Sequence, residues 1–276
     1  GAPPPALPEP LASHPAGPRH NLPAPLTSFV GREQEIARVR QAFDVTRLLT
    51  LVGSGGCGKT RLALVVAAGM AEDMDGVFLV ELAALADERV LPAAVASALS
   101  VTLDPNQDAL DLLAGVLSGK RLLLVLDNCE HLSQACALFA HRLLHACPTL
   151  RMLATSREPL DIDGEMVWRV PSLPVPEAEP AASFDEIARS DAVRLFCDRA
   201  RFVQSDFALT PANAAAVADI CRRLDGLPLA IELAAARLPI LGVDQLAARL
   251  DDALRLLGNR RRTSPARHET LRATFD

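Results

Sequence analysis

Tyrosine is absent from this sequence of 276 residues, and aromatic residues make up only 4% of it. A core with so few rings must be filled by Leu, Val, Ile and Ala, which favours helices and α/β layering. A surplus of positive charge is also missing, since 28 Lys and Arg face 34 Asp and Glu and the net charge is −6. Nucleic-acid-binding modules carry a surplus of Lys and Arg, so this composition argues against direct DNA binding by these residues.

Paired CxxC cysteines and long apolar runs are missing as well. A chain of this size does not need disulfides, so we expect reduced thiols and a cytoplasmic protein. No basic segment followed by an apolar one stands at the start, which argues against a signal peptide. The longest apolar run, residues 90–103, is shorter than the roughly 18 residues that a membrane span needs. We therefore expect no membrane association.

The apolar pattern predicts five strands that alternate with helices. A run of five apolar residues such as 122–126 is typical of a strand covered on both faces. Strands alternating with helices predict an α/β fold with a five-stranded parallel sheet. The strand candidates are Leu48–Val52, Val77–Leu82, Leu122–Leu126, Met152–Thr155 and Met166–Val170.

Proline marks the predicted borders of this sheet domain. Nine of the 21 prolines fall in the first 25 residues, which predicts an extended linker over 1–24 and another domain before it. The sheet domain is expected over 25–172, a second linker over 173–185 and a helical subdomain over 186–250. In that subdomain Ser190 is expected to cap a helix, Thr210 and Pro211 to begin a second, and Pro228 to open a third.

The strongest chemical signal is the segment Gly53-Ser54-Gly55-Gly56-Cys57-Gly58-Lys59-Thr60, between a predicted strand and a predicted helix. It matches GxxxxGK[ST], the phosphate loop of P-loop NTPases, in which backbone N–H groups surround phosphate oxygens at a helix N-terminus. Lys59 is expected to contact the β- and γ-phosphates, and the Thr60 hydroxyl to bind Mg²⁺. The following residue, Arg61, is included in the expected nucleotide site.

A carboxylate follows the third predicted strand, in Leu122-Leu-Leu-Val-Leu-Asp127. At the carboxyl end of that strand, Asp127 is expected to lie beside the phosphate loop and hold Mg²⁺ through water. The alternative is that Asp127 merely caps a turn with Asn128.

Five motifs in order resemble the nucleotide-binding domain of the STAND class of signalling ATPases (the NB-ARC or AP-ATPase group). The closest likeness is to the version inside large bacterial transcriptional regulators of the LuxR and antibiotic-regulator type. Besides the phosphate loop, the motifs lie at 21–32 (NLPAPLTSFVGR), 124–131 (LVLDNCEH), 153–158 (LATSRE) and 223–233 (RLDGLPLAIEL).

The resemblance implies roles for further residues. Val30, Gly31 and Arg32 match the segment along the adenine and ribose, and Pro228 matches a proline that packs against the adenine. Arg157 matches a sensor arginine at the end of the fourth strand, which lies between the first and third strands in this group. The resemblance also implies that residues 251–276 lead into a winged-helix domain, with sensor repeats further on and a DNA-binding or effector domain upstream.

The sequence departs from the family after the third strand, where many members have paired acids. Here Asp127 is followed by Asn128, and an amide cannot act as a general base. Glu130 is the nearest carboxylate for that role, or simply a solvated acid at a helix start. We therefore expect an ATP- and ADP-binding switch with slow hydrolysis. Nucleotide-dependent oligomers are a further expectation.

Several alternatives stay open at this point. The alternatives to a switch are a P-loop phosphotransferase or kinase and an AAA-type ATPase that forms rings. The cysteines and histidines at 129–147 suggest a zinc site, although their spacing fits no standard pattern. Cys57 in the phosphate loop suggests a redox sensor, and Arg260–Arg262 a DNA contact or a solvated loop.

Overall fold

The computed structural model describes residues 20–178 and 182–258, with side chains described up to residue 250. Five strands form one sheet in the order β2-β3-β4-β1-β5, and every neighbouring pair is parallel. The predicted five-stranded parallel sheet is confirmed, with the fourth strand between the first and the third. The strands are β1 (Leu48–Val52), β2 (Gly76–Glu81), β3 (Leu122–Asp127), β4 (Arg151–Ser156) and β5 (Glu165–Arg169).

Apolar residues cover both faces of the central strands. Because successive side chains of a strand point to opposite faces, Leu49 and Leu51 enter one core cluster while Leu48 enters the other. The first cluster is covered by α1 and α2, and the second by α3, α4 and α5. These helices are α1 (Glu33–Ala42), α2 (Lys59–Met70), α3 (Leu91–Ala98), α4 (Ala109–Leu117) and α5 (Ser133–Ala146).

Five more helices follow the sheet and share a core with its α1–α2 side. The first cluster continues from Val170 and Leu173 into the buried residues Phe196, Val217 and Ile231 of the later helices. The helical part is therefore packed on one face of the sheet domain. These helices are α6 (Phe184–Arg189), α7 (Asp191–Val203), α8 (Ala214–Arg223), α9 (Pro228–Ala235) and α10 (Val243–Gly258).

One predicted helix start and one predicted side-chain cap need correction. The helix expected to begin at Thr210 and Pro211 begins at Ala214, because the Asn213 side chain accepts a hydrogen bond from the Thr210 N–H (2.8 Å) and closes a turn there. Ser190 does precede α7, but its hydroxyl donates to the Pro174 carbonyl (2.8 Å) instead of capping the helix.

The element borders also differ from the expected domain borders. Helix α6 begins within the expected second linker, where Ser183 and Glu186 form a capping box. Helix α10 continues past residue 250 to Gly258. None of the helices in the described ranges has the length and apolarity that a membrane crossing requires.

Candidate functional site

The phosphate loop connects β1 to α2 at the carboxyl edge of the sheet. Gly56 (φ 77°) and Gly58 (φ 93°) adopt left-handed backbone conformations that favour glycine, and Gly58 is the N-cap of α2. A Cβ on Gly56 would lie 2.8 Å from the Leu229 Cβ of α9, so a side chain does not fit there. The loop thus turns sharply and leaves the first N–H groups of α2 at its inner side, where an anion is stabilised.

Lys59 is the first residue of α2, and its side chain folds back over the loop. The Nζ atom donates to the carbonyls of Gly53 (3.0 Å) and Ser54 (3.1 Å). The ammonium therefore lies beside the N-terminus of α2, which places two sources of positive potential together.

Two hydroxyls converge on Asp127 at the end of β3. Its Oδ1 atom accepts hydrogen bonds from Thr60 Oγ1 of α2 (2.7 Å) and from Thr155 Oγ1 of β4 (2.6 Å). Thr155 in turn accepts from the backbone N–H of Asn128 (2.9 Å). Because β4 lies between β3 and β1, the phosphate loop, Asp127 and Thr155 meet at one edge. Thr155 was not among the predicted site residues.

Arg157 follows β4 and forms an ion pair with Glu130. The Nε atom of Arg157 lies 3.0 Å from Glu130 Oε1, and the other carboxylate oxygen of Glu130 is buried without a hydrogen-bond partner among the described residues. The side chain of Arg157 is 68% exposed. The residue predicted as a sensor and the residue predicted as a base therefore contact each other.

Arg32 is almost completely buried behind the phosphate loop. Its backbone is left-handed (φ 66°), and its Nη2 atom donates to the carbonyls of Cys57 (2.8 Å) and Pro171 (2.7 Å). Burial lowers the pKa of Arg32 from its ordinary value by disfavouring the charged form. Its Nη1 atom has no partner among the described residues. The neighbouring Gly31 packs so tightly that a Cβ there would lie 2.2 Å from the Asp191 carboxylate.

Most of these groups line a cavity of about 340 Å³ between the sheet edge and the later helices. The predicted residues that are not among its lining residues are Gly31, Gly53, Ser54, Cys57 and Asp127. One end is polar and contains Lys59, Thr60 and Arg157. The other walls come from the segment before α1 and from α7 and α9. They contain Phe29, Val30, Arg32, Leu173, Leu195, Arg199, Pro228, Leu229 and Glu232.

The predicted residues Gly55, Gly56, Gly58, Arg61, Glu130, Val30, Arg32 and Pro228 all line this cavity. The Arg61 side chain turns towards α9 and donates to Glu232 (3.0 Å). Arg199 and Glu232, like Thr155, were missed by the sequence analysis. Thr155 and Glu232 lie inside the motifs at 153–158 and 223–233, but their partners in the site are distant along the chain. Arg199 lies in none of the five motifs.

Cys57 does not present its thiol to the cavity. The residue is buried and only 1% exposed, whereas a redox sensor needs an accessible thiol. This burial argues against the redox interpretation. The carbonyl of Cys57, not its thiol, takes part in the site by accepting from Arg32.

The cysteine- and histidine-rich segment does not converge on one point. Within the described ranges there is no group of three or more His, Cys, Asp or Glu side chains arranged to hold a metal ion. A hydrogen bond with Cys136, together with burial, keeps the pKa of the Cys129 thiol well above its ordinary value. The rings of His141 and His145 contact each other on α5, with centroids 4.4 Å apart and ring planes tilted by 58°. The basic cluster Arg260–Arg262 lies outside the described residues.

A larger cavity of about 850 Å³ lies at the opposite, amino-terminal edge of the sheet, beside Arg47 and Arg151. We assign the functional site to the smaller cavity for two reasons. Open parallel sheets bind ligands at the carboxyl ends of their strands, and the phosphate loop lies at that edge.

No protein-family model matches the sequence. Over 238 residues the chain is 45% identical to a protein of Mycobacterium tuberculosis named "Putative HTH-type transcriptional regulator". The aligned region covers 86% of this chain and 25% of that protein. Over 257 residues it is 42% identical to an uncharacterized protein of the same species. This second aligned region covers 93% of this chain and 62% of the uncharacterized protein. The chain thus spans about a quarter of the length of the named relative.

Among solved structures, Cdc6p from Pyrobaculum aerophilum superposes with a TM-score of 0.52 at 16% identity, over 76% of this chain and 62% of Cdc6p. A likeness at this identity concerns the fold. The parallel sheet order, the phosphate loop between β1 and α2 and this superposition together show that the chain has the P-loop NTPase fold.

Proposed function

We propose that this chain is an ATP- and ADP-binding switch within a larger signalling or transcriptional regulator, and that it hydrolyses ATP slowly. The observation that carries the proposal is the composition of the cavity walls. Phosphate-binding groups of the sheet edge face residues of α7 and α9 across one cavity. A ligand bound there contacts both layers, and so its phosphate content can change how they pack.

The polar end of the cavity suits a magnesium–nucleotide complex. The Thr60 hydroxyl and the Asp127 carboxylate are hard oxygen donors 2.7 Å apart, the ligand type that Mg²⁺ prefers. Lys59 and the N-terminus of α2 supply positive potential for phosphate oxygens. When bound, Mg²⁺ neutralises charge on the β- and γ-phosphates. The apolar walls at Val30, Leu173 and Pro228 are the expected contacts of the adenine.

Slow hydrolysis follows from the groups beside Asp127. Asn128 carries no carboxylate, and the carboxylate of Glu130 is held by Arg157 at 3.0 Å. This ion pair occupies the Oε1 atom of Glu130, and the other carboxylate oxygen is buried. Water activation by Glu130 therefore requires this pair to separate first.

The ion pair between Arg157 and Glu130 also explains why the protein is expected to respond differently to ATP and to ADP. A γ-phosphate offers Arg157 a competing anionic partner, whereas ADP leaves it with Glu130. The nucleotide state is then reported by the position of one exposed arginine. A ligand shifts a two-state protein only through such a differential contact.

The relatives suggest where this switch acts. One is named a transcriptional regulator and is about four times longer than the matched segment. We propose that other domains of such a protein, including a winged helix and a DNA-binding or effector domain, read the nucleotide state. With a net charge of −6, this chain itself is not expected to bind DNA. Nucleotide-dependent oligomers belong to the same proposal.

Identification of the bound nucleotide tests the proposal. The purified protein is denatured, and the released nucleotide is identified by chromatography. Calorimetry with MgATP and MgADP then gives both affinities. Absence of binding to either nucleotide would refute the switch. Phosphate transfer to added acceptors would indicate a phosphotransferase instead, and stable rings in the presence of ATP would indicate an AAA-type ATPase.

A further inference from the structure

Two arginines beside the cavity share the same two acceptors. Arg61 of α2 donates to Glu232 Oε1 (3.0 Å) and to the Ser28 carbonyl (2.8 Å). Arg199 of α7 donates to the same Glu232 atom (2.9 Å) and to the same carbonyl (3.0 Å). One carboxylate oxygen and one carbonyl oxygen thus join two cations from two different helices.

Further contacts fix each arginine in place. Arg61 also donates to the Thr27 carbonyl (3.1 Å) and hydroxyl (2.9 Å). Arg199 pairs with Asp198, whose carboxylate accepts from the Ser28 hydroxyl (2.7 Å). Two cations and two anions balance within this network. The Arg199 side chain is 9% exposed, so its charge depends on these partners, whereas those of Arg61 (38%) and Glu232 (29%) are partly hydrated.

The network connects the phosphate loop to α9. Arg61 belongs to the same first helical turn as Lys59 and Thr60. Glu232 lies one turn after Pro228 in α9, whose second residue, Leu229, donates its N–H to the Gly56 carbonyl (3.2 Å). The start of α9 is therefore held over the phosphate loop at two points: one backbone hydrogen bond, and the Glu232 network one turn further along.

We propose that Glu232 is a positioning residue that keeps the first turn of α9 closed over the phosphate loop and thereby slows nucleotide release. The inference rests on the proposed nucleotide site. Glu232 acts through Arg61 and Arg199. Release of the nucleotide requires Pro228 and Leu229 to move away from the loop, and that movement separates Glu232 from Arg61.

Release of a fluorescent ADP analogue, followed by stopped flow, tests this role. Glu232→Gln keeps the shape of the side chain but removes its charge. We expect release about tenfold faster, which corresponds to ~1.4 kcal/mol. Binding should also become faster, because an open cavity admits the analogue more readily. A purely structural role would instead lower the melting temperature and the fraction of binding-competent protein, with the rates of the competent fraction unchanged.

A second variant keeps the test valid if Glu232→Gln does not fold. Arg61→Gln removes only the contact between Glu232 and α2. It should speed release by a smaller factor, since Arg199 still holds Glu232. The double variant should release no faster than Glu232→Gln alone, because both changes remove the same contact. Glu72→Gln, an exposed carboxylate on the surface, is the matched control and should keep the wild-type rate.

The outcomes separate the two proposals. If the wild-type protein binds the analogue and both Arg61→Gln and Glu232→Gln release it at the wild-type rate, the positioning role is wrong while the nucleotide site stands. If the wild-type protein does not bind the analogue, the nucleotide site itself is refuted, and the positioning role with it.

Discussion

Replacement of Arg32 by methionine should destabilise the nucleotide-free protein strongly. Methionine resembles the aliphatic part of arginine but lacks the guanidinium, so the carbonyls of Cys57 and Pro171 lose their donor (2.8 and 2.7 Å). One carbonyl belongs to the phosphate loop and the other follows β5. The left-handed backbone at position 32 is equally unfavourable for methionine, so the change isolates the guanidinium.

The expected loss in the free energy of unfolding is the balance of two opposing contributions. Each hydrogen bond to a charged donor contributes about 1.5–3 kcal/mol. Removal of the buried cation recovers part of its desolvation cost, several kcal/mol in all, which the lowered pKa of Arg32 reflects. We expect a net loss of roughly 2–4 kcal/mol, or a decrease in melting temperature of about 5–10 °C.

Thermal unfolding without nucleotide measures this loss. The single tryptophan, Trp168, lies in β5 two residues before Val170, so its fluorescence reports on the same region. Arg38→Met, which removes an exposed arginine of α1, is the matched control and should leave the melting temperature unchanged. An Arg32→Met variant that melts within about 1 °C of the wild type would refute the idea that the hydrogen bonds of Arg32 to the Cys57 and Pro171 carbonyls stabilise the fold.

Three further changes probe the site and the core. Lys59→Ala removes the ammonium beside the phosphate loop and should weaken ATP and ADP roughly tenfold to a hundredfold in calorimetry; unchanged affinities would contradict the phosphate-loop assignment. Arg157→Ala should weaken ATP more than ADP, and equal losses would make Arg157 a structural residue. Burial raises the pKa of Cys197 from 9.0 to about 11, so the unfolded thiol ionises first as pH rises. Stability should then fall by about 2–3 kcal/mol between pH 9 and 11, and Cys197→Ala should reduce this fall in urea unfolding at the two pH values.

The sheet was predictable because its strands are short, continuous apolar runs. β1 begins and ends where the sequence predicted, and β2 is shifted by a single residue. Helix starts were less predictable. Helix α1 begins after Arg32, a residue type that rarely caps helices and that acts here through a buried guanidinium. The start of α8 depended on the Asn213 side chain, which closes a turn where Pro211 suggested a helix.

The residues of the site were also only partly predictable from the sequence. The phosphate loop and Asp127 are recognisable because their chemistry lies within one local segment each. Thr155, by contrast, reaches Asp127 only because β4 is inserted between β3 and β1. Arg61 and Glu232 are 171 residues apart, and no periodicity relates them. Partners brought together by tertiary packing alone leave no signal in a single sequence.

The segment between Leu173 and Gly226 begins and ends at almost the same point. The Leu173 N–H donates to the Gly226 carbonyl (2.9 Å), and a Cβ on Gly226 would lie 2.1 Å from the Leu173 carbonyl oxygen. Helices α6, α7 and α8 thus lie in a long insertion whose two ends are joined by this hydrogen bond. Changes in the length of its outer loops are therefore expected to leave the end of β5 and the start of α9 in place. Gly226 must be kept, because a Cβ there would collide with the Leu173 carbonyl and separate the two ends of the insertion.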